Sequence, residues 1–254
     1  MSLTMGRPVK RGIQRAPQSS DDAVRATDAD ALTSRRAALA AGYLSHDPYA
    51  ELLAQHADEP PKRPVLINIG TTLRGNKIDA LVDQFVASAP AVQIVSLGAG
   101  SDTRFWRLQS TSIVRYIEID FEQVARAKGR RIQTTDLADA VGISSSSGNT
   151  IIDARVYALI SADLRDDSWH DTLFAKLDRS LPTLFLYECV LAYLSPSAGD
   201  HLVSTLAAPF AHAHIVCYDM CIAGDMSADG SLSRFGRVML ENLGVRTMLT
   251  RCAG

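Results

Sequence analysis

The chain has 254 residues, of which 46% are hydrophobic and 21% are charged. This length and composition suit one globular α/β domain, with or without an appended cap. The 26 basic and 28 acidic residues give a formal net charge of −2. Such a balance provides no field that would gather nucleic acid or an anionic membrane, so we expect neither as a partner.

The sequence also favours a cytoplasmic location. No apolar run approaches the roughly 18 residues of a membrane span, and the N-terminus lacks the apolar core of a signal peptide. The four cysteines lie mostly in apolar runs. This is typical of buried, reduced thiols in a cytosolic protein, so we expect no disulfide framework.

The first 90 residues are predicted to contain a tail and a helical cap. Residues 1–20 are rich in Arg and Pro and have almost no large apolar side chains. They cannot bury enough surface to offset the entropy of ordering, so we predict a disordered tail. Residues 21–90 show helical patterns over Asp22 to Tyr43, from Asp47 onward and within 71–90, which predicts a cap of three helices.

From residue 91 the pattern changes to short apolar runs that alternate with helical stretches. Five runs are rich in β-branched or aromatic residues: VQIVSLG, YIEID, YALISADL, TLFLYECV and HIVCYDM. This alternation predicts an α/β fold with a doubly wound, Rossmann-like parallel sheet. The segment ISSSSGNT is predicted to be a flexible surface loop. Ligands of such sheets bind at the carboxyl ends of the strands, so those positions are the candidate site.

The first strand ends in Gly98-Ala99-Gly100. The lack of side chains there lets backbone amides approach a ligand. A dinucleotide loop would have a third glycine at the position of Thr103, and its absence disfavours a bound pyrophosphate. A small zwitterionic ligand or a nucleoside therefore fits this turn better than NAD does.

Acidic side chains end three of the following strands. Asp120 can accept hydrogen bonds from a ribose diol, although it could also cap the next helix. Asp163 can meet an adenine amino group, with the Leu164 amide on a ring nitrogen, but a solvated turn is the favoured alternative. Glu188 lies within an apolar run, where an unpartnered carboxylate is costly, so a functional role is favoured. Together these ends suggest S-adenosylmethionine, which combines a ribose, an amine and a positive charge.

Seven segments also resemble, in the same order, the leucine carboxyl methyltransferases, whose eukaryotic members methylate the C-terminal leucine of type 2A protein phosphatase catalytic subunits. The resemblance runs from about Ser34 to Leu243. It implies a class I, S-adenosylmethionine-dependent carboxyl O-methyltransferase without a metal, whose partner is the C-terminal tail of that phosphatase subunit. The segments are SRRAALAAGYLSHDPY, INIGTTLRGNKID, VSLGAGSDTRFWRL, YIEIDF, ALISADLRD, LPTLFLYECVLAYLSP and RFGRVMLENL.

Carried over residue by residue, the resemblance implies a methyl-donor site. Arg74 matches the arginine that meets the methionine carboxylate, and Arg35 matches a basic position where the family also has lysine. Gly98 matches the glycine of the family's loop, and Asp120 matches the acid that binds the ribose. Asp163 and Leu164 match the pair that contacts the adenine, and Glu188 matches the acid at the end of the fourth strand.

No catalytic residue is expected, because the acceptor needs no general base. A peptide α-carboxylate has a pKa of about 3.3–3.7 and is already ionised at pH 7. His46 is therefore expected to pack or to cap a helix rather than to move a proton.

The family continues beyond RFGRVMLENL with a further helix and an antiparallel strand pair, whereas this sequence ends at Gly254. The resemblance thus implies an incomplete methyltransferase domain, residues 91–254, that lacks its final strand pair. We expect the exposed apolar edge beside HIVCYDM to lower solubility or activity.

Three alternative functions stay open. One is an impaired fragment that binds the donor or the phosphatase without turnover, and another is a small-molecule carboxyl methyltransferase. The third is a relative of the enzyme that modifies wybutosine in transfer RNA. It is disfavoured because the sequence lacks propeller repeats and a basic face.

Overall fold

The computed structural model describes residues 20–54, 58–108 and 110–219. The predicted tail, residues 1–20, lies outside the described residues except for Ser20. The chain after Asp219 also lies outside them, and with it the segment that the prediction of a missing final strand pair concerns. Seven strands are described: β1 (Val92–Leu97), β2 (Ile113–Asp120), β3 (Ser144–Ser147), β4 (Thr150–Ala154), β5 (Tyr157–Ser161), β6 (Thr183–Glu188) and β7 (Ala213–Tyr218).

Helices precede, connect and cover these strands. Within the described ranges, none of them combines the length and the apolar character that a membrane span requires. They are α1 (Ser20–Ala40), α2 (Pro48–Ala54), α3 (Val65–Val86), α4 (Arg104–Arg107), α5 (Glu122–Gln133), α6 (Leu137–Val141), α7 (His170–Phe174) and α8 (Pro196–Ala207), with a short 3-10 helix at Leu191–Tyr193.

The strands form one sheet in the order β3-β4-β5-β2-β1-β6-β7. The five strands from β5 to β7 in this order are parallel to one another. Every residue of β1 and β5 is buried, as expected where helices cover both faces of a parallel sheet. The Rossmann-like α/β fold is confirmed, and the strand order reverses beside β1, where such sheets bind ligands.

The predicted all-parallel sheet of five strands is wrong at one edge. β3 and β4 form a hairpin that pairs antiparallel with β5, so part of ISSSSGNT is a strand rather than a loop. All four residues of β3 are exposed, and the strand joins the sheet by antiparallel pairing with β4. β4 is anchored by α5, where a Cβ on Gly129 would lie 2.6 Å from Ile151 Cγ2.

Two helix boundaries also differ from the prediction. α1 ends at Ala40 rather than Tyr43, because Gly42 turns the chain with a φ of +76° and the Tyr43 amide donates back to the Ala38 carbonyl at 2.9 Å. α3 begins at Val65, six residues before the predicted start at 71, directly after Pro64. Its first turns are apolar but exposed, so they lack the alternation by which amphipathic helices are recognised.

The three N-terminal helices share a hydrophobic core with the sheet. Leu32 of α1, Leu53 of α2 and Ile78 of α3 belong to the same buried cluster as Ile94 of β1. A second cluster on the other face joins the sheet to α7 and α8. The predicted cap helices therefore pack directly against the strands that carry the candidate site.

A buried ion pair lies beneath that site, between β2 and α5. Lys128 is 1% exposed and Glu118 is fully buried. Lys128 Nζ lies 2.6 Å from Glu118 Oε2, which also accepts a hydrogen bond from the Tyr157 hydroxyl at 2.6 Å. Lys128 further donates to the Asp102 carbonyl at 2.8 Å. Burial raises the pKa of Glu118 to about 6, although the adjacent ammonium group works against that rise.

Replacing Lys128 with methionine tests the contribution of this pair to stability. Lys128→Met leaves the buried Glu118 carboxylate without a contacting cation, so we expect a loss of about 3–5 kcal/mol in the free energy of unfolding at pH 8. The loss should shrink at pH 5, because Glu118 can then take up a proton. The double variant Lys128→Met/Glu118→Gln is the control and should recover most of the loss. A single variant that unfolds at the wild-type urea concentration would contradict this account.

Candidate active site

The candidate site lies where the carboxyl ends of the parallel strands meet. Gly98 follows β1, Asp120 ends β2, Asp163 follows β5 and Glu188 ends β6. These strands are neighbours in the sheet, so the four sequence-predicted positions come together at one edge.

The turn after β1 is bare because the protein itself occupies the adjacent space. Gly98 and Gly100 have φ values of +60° and +47°. A Cβ on Gly98 would lie 2.8 Å from Val190 Cγ2, and one on Gly100 would lie 2.6 Å from Asp28 Oδ1. Both glycines are therefore required by intramolecular packing as well as by any ligand that approaches the turn.

Asp120 fastens the end of β2 to this turn. Its Oδ2 accepts a hydrogen bond from the Gly100 amide at 2.6 Å, and its Oδ1 accepts one from the Phe121 amide at 2.7 Å. Burial raises the pKa of Asp120 to about 6 against the effect of these two bonds, and the nearby Asp28 charge adds to the rise. A carboxylate has about four lone-pair positions, so capacity for ligand hydroxyl groups is left.

Asp163 lines a cavity of about 400 Å³ together with Phe121, Trp169 and Arg25 of α1. Its carboxylate accepts hydrogen bonds from the backbone amide and Nε of Arg165, at 3.0 and 2.8 Å. The side-chain bond from Arg165 holds the pKa of Asp163 below its usual value. The turn that follows β5 is therefore fixed, and the adjacent Leu164 side chain packs against the second hydrophobic cluster.

Glu188 is paired with Arg74, which no local pattern distinguishes from an ordinary surface residue of a helix. Arg74 Nε lies 2.8 Å from Glu188 Oε1, and Arg74 NH1 lies 3.6 Å from Cys189 Sγ. Cys189 itself has a φ of +55°. Its left-handed conformation ends the strand and turns the chain across the site.

Arg104 is a buried residue of the site that the sequence analysis missed. Its side chain is 2% exposed and contacts three carboxylates. Nε lies 2.7 Å from Asp79 Oδ1, NH2 lies 3.1 Å from Glu188 Oε2, and NH1 contacts Asp102 Oδ2. The arginine belongs to the segment GAGSDTRFWRL, where it reads as one charge among several.

Arg35 is held by the buried carboxylate of Asp47. Arg35 Nε lies 2.5 Å from Asp47 Oδ2, and the Thr103 hydroxyl donates to the same oxygen at 2.6 Å. Asp47 Oδ1 also caps α2, because it accepts a hydrogen bond from the Ala50 amide. His46 is exposed, and the expected capping role belongs to its neighbour Asp47.

Helix α1 lies across the same edge of the sheet. Asp28 accepts hydrogen bonds from the Ser101 amide and hydroxyl, at 2.5 and 3.1 Å. Asp21 pairs with Arg165 at 2.9 Å, and the guanidinium of Arg25 lies 5.7 Å from the centre of the Phe121 ring. These contacts were not predicted, because acids and bases interspersed along a helix look like a solvated surface.

The two described cysteines differ in burial. Cys189 is half-buried, but Cys217 is exposed, so the expectation of a buried thiol is wrong for Cys217. It lies on β7, an edge strand of the described sheet. In the described ranges, no group of three or more His, Cys, Asp or Glu side chains could hold a metal ion.

Comparison with known proteins decides the family. The model of the leucine carboxyl methyltransferase family matches residues 23–207. The chain belongs to this family. It is 38% identical to leucine carboxyl methyltransferase 1 of Cryptococcus neoformans over 91% of this chain and 73% of the relative. Against the enzymes of Bos taurus and Mycosarcoma maydis the identity is 32%, over 96% and 93% of this chain and 73% and 64% of the relatives.

Family membership confirms the resemblance found in the sequence motifs and, with it, the class of enzyme, a carboxyl methyltransferase. The chain spans about two thirds to three quarters of the length of these relatives.

The fit of α1 against the glycine turn can be tested with alanine substitutions. Gly100→Ala adds the strain of a left-handed alanine and displaces Asp28, so we expect a loss of about 2–3 kcal/mol in the free energy of unfolding. Gly148→Ala is the matched control, because Gly148 has a φ of +56° and open space around its Cβ position. It should cost only about 1–2 kcal/mol.

The two substitutions are compared by urea denaturation, with and without Asp28→Ala. In the Asp28→Ala background the cost of Gly100→Ala should fall to that of Gly148→Ala. If Asp28→Ala does not change the cost of Gly100→Ala, then Asp28 does not pack on the turn as described.

Proposed function

We propose that the chain is an S-adenosylmethionine-dependent carboxyl O-methyltransferase. In this proposal it forms a methyl ester on the C-terminal leucine of a type 2A protein phosphatase catalytic subunit. The observation that carries the proposal is the ion pair of Arg74 with Glu188 beside a glycine turn fastened to Asp120. In a member of the leucine carboxyl methyltransferase family, this arrangement offers a cation, two acids and a bare backbone to one ligand.

The cavity beside Asp163 fits the adenosine part of the methyl donor. Its volume of about 400 Å³ is within the range of small-molecule sites. Phe121 and Trp169 contribute aromatic walls. Asp120, one residue before Phe121, would accept hydrogen bonds from the ribose, while the Asp163 carboxylate and the Leu164 amide would meet the adenine.

The amino-acid part of the donor would lie on the other side of the glycine turn. Arginine has five N–H donors, and the Glu188 and Cys189 contacts leave part of the Arg74 guanidinium for a carboxylate. Gly98 would let that group approach the backbone. Arg35 is held near α3 by Asp47, with its NH1 3.5 Å from the Cβ position of Gly75, and would add a second positive charge.

The proposed reaction requires little proton transfer by the protein. When bound, the donor supplies a methyl group on a positively charged sulfur. The acceptor carboxylate is ionised at neutral pH, so the residues of the site only need to orient the two reactants and exclude water. Helix α1 contributes to that exclusion, because Asp21, Arg25 and Asp28 hold it across the edge where the donor would lie.

Mass spectrometry tests the reaction directly. The chain is incubated with S-adenosylmethionine and a synthetic peptide that carries the phosphatase C-terminus and ends in leucine. We expect one methyl group on the peptide and none on the same peptide made as a C-terminal amide. Donor binding without any methyl transfer to the peptide would contradict the proposed enzymatic activity and favour a protein that only binds the donor.

The contribution of Arg74 can be measured in the same system. Arg74→Gln removes a charge-assisted bond to the donor carboxylate, so the donor dissociation constant should rise roughly 10- to 100-fold by calorimetry. Arg126→Gln is the matched control, because Arg126 forms an exposed ion pair with Glu122 on α5. Equal donor affinities for the two variants would remove Arg74 from the site.

The pKa of Asp120 predicts how donor affinity depends on pH. The carboxylate, with its pKa of about 6, is the form that accepts two hydroxyl bonds from the ribose, so it is mostly available above pH 6. Between pH 7 and pH 5 the donor should bind about tenfold more weakly as Asp120 takes up a proton.

Calorimetry at both pH values checks this expectation, with circular dichroism to confirm that the protein stays folded. Asp120→Asn should bind the donor weakly at both pH values and lose the pH dependence. Asp178→Asn, at the opposite end of the sheet before β6, should behave like the wild type. A wild-type affinity that is the same at pH 7 and pH 5 would remove the ribose role of Asp120.

A further inference from the structure

The buried guanidinium of Arg104 connects three separate parts of the candidate site. Each of its nitrogen atoms faces a different carboxylate: Asp79 on α3, Asp102 in the glycine turn and Glu188 at the end of β6. The side chain is 2% exposed, so these contacts are made with little water to weaken them. The turn, the helix and the strand end are therefore tied to one cation.

The charges around Arg104 balance within the cluster. Arg104, Arg74 and Arg107 supply three positive charges, and the three acids supply three negative ones. Arg107 also lies 3.6 Å from Asp47, whose charge is balanced by Arg35. Glu188 is shared, because Oε1 faces Arg74 and Oε2 faces Arg104. Whatever fixes the second oxygen of Glu188 also fixes the orientation in which the first one holds Arg74.

Lysine or a neutral side chain could not replace this arrangement. Only the planar fork of a guanidinium presents separate donors to three carboxylates at once. Removing Arg104 would leave Asp102 and Glu188 close together without their shared cation. Glu188 would then turn toward solvent or toward Arg74. The glycine turn would keep its other ties, which are the Lys128 bond to the Asp102 carbonyl and the Gly100 bond to Asp120.

We propose that Arg104 is a positioning residue for the methyl donor, which acts by orienting Glu188 and, through it, Arg74. The inference rests on the proposed function, because it concerns the donor site described above. It assigns to Arg104 an effect on donor affinity and not on the acceptor, since the buried Arg104 reaches the ligand only through Glu188 and Arg74.

Calorimetry with S-adenosylmethionine tests the proposal on the full chain. Arg104→Gln should raise the donor dissociation constant at least about tenfold and change the KM of the acceptor peptide by less than about twofold. Arg104→Lys should lie between this variant and the wild type, because it keeps the charge but not the fork. Arg115→Gln is the matched control, since Arg115 is a largely buried arginine of β2 that pairs with Asp153 away from the site.

A double-mutant cycle separates positioning from a general loss of stability. In a Glu188→Gln background, Arg104→Gln should weaken donor binding by less than about twofold more, because its effect passes through Glu188. The proposal would be overturned if the two substitutions raised the donor dissociation constant by independent factors that multiply in the double variant. It would also be overturned if Arg104→Gln bound the donor as tightly as Arg115→Gln does. If Arg104→Gln shows no cooperative unfolding, Arg104→Lys takes its place in both comparisons, with an expected weakening of about threefold.

The wild-type titration keeps this proposal apart from the proposed function. A wild-type chain that binds no donor overturns both. A wild-type chain that binds the donor, together with an Arg104→Gln variant that binds it equally well, overturns only the role of Arg104.

Discussion

The contact between the buried Arg104 guanidinium and its three acids is the interaction on which the candidate site depends. Parallel strands bring their carboxyl ends to one edge, and in this chain that edge collects acids that would repel one another without cations among them. Arg104 contacts all three acids from inside the protein, while Arg107 pairs with Asp79 and Arg74 pairs with Glu188 from the side of α3. The result is an edge that is rich in charge but internally paired, and so able to hold a zwitterionic ligand in one orientation.

The glycine turn after β1 shows why a bare backbone is required there. Val190 and Asp28 occupy the positions where side chains on Gly98 and Gly100 would lie. Thr103, which stands where a dinucleotide loop would have its third glycine, instead donates to the buried Asp47 and ties the turn to α2. The turn is thus adapted to helices of the same chain that close over it, which suits a ligand without a pyrophosphate.

The sequence predicted the parts of the fold whose signal is local. The five parallel strands read as apolar runs, and acids at the ends of three of them identified Asp120, Asp163 and Glu188 as site candidates. Strand β3 was not predicted, because its four serines are exposed and give no apolar signal. The sequence did not identify Arg104, Asp28 and Asp47 as site residues, because their partners lie far along the chain. A charged residue in a helix or turn looks solvent-exposed until its partner is known. Arg74 was identified only through the family resemblance.

A crystal structure of the chain with S-adenosylhomocysteine, the donor without its methyl group, would show whether the glycine turn, Asp120 and Arg74 hold one ligand. We expect the ribose hydroxyls within hydrogen-bond distance of Asp120, the adenine beside Asp163 and the ligand carboxylate on Arg74, with the Arg104 to Glu188 contact intact. A ligand bound away from the glycine turn, or with its carboxylate far from Arg74, would contradict it.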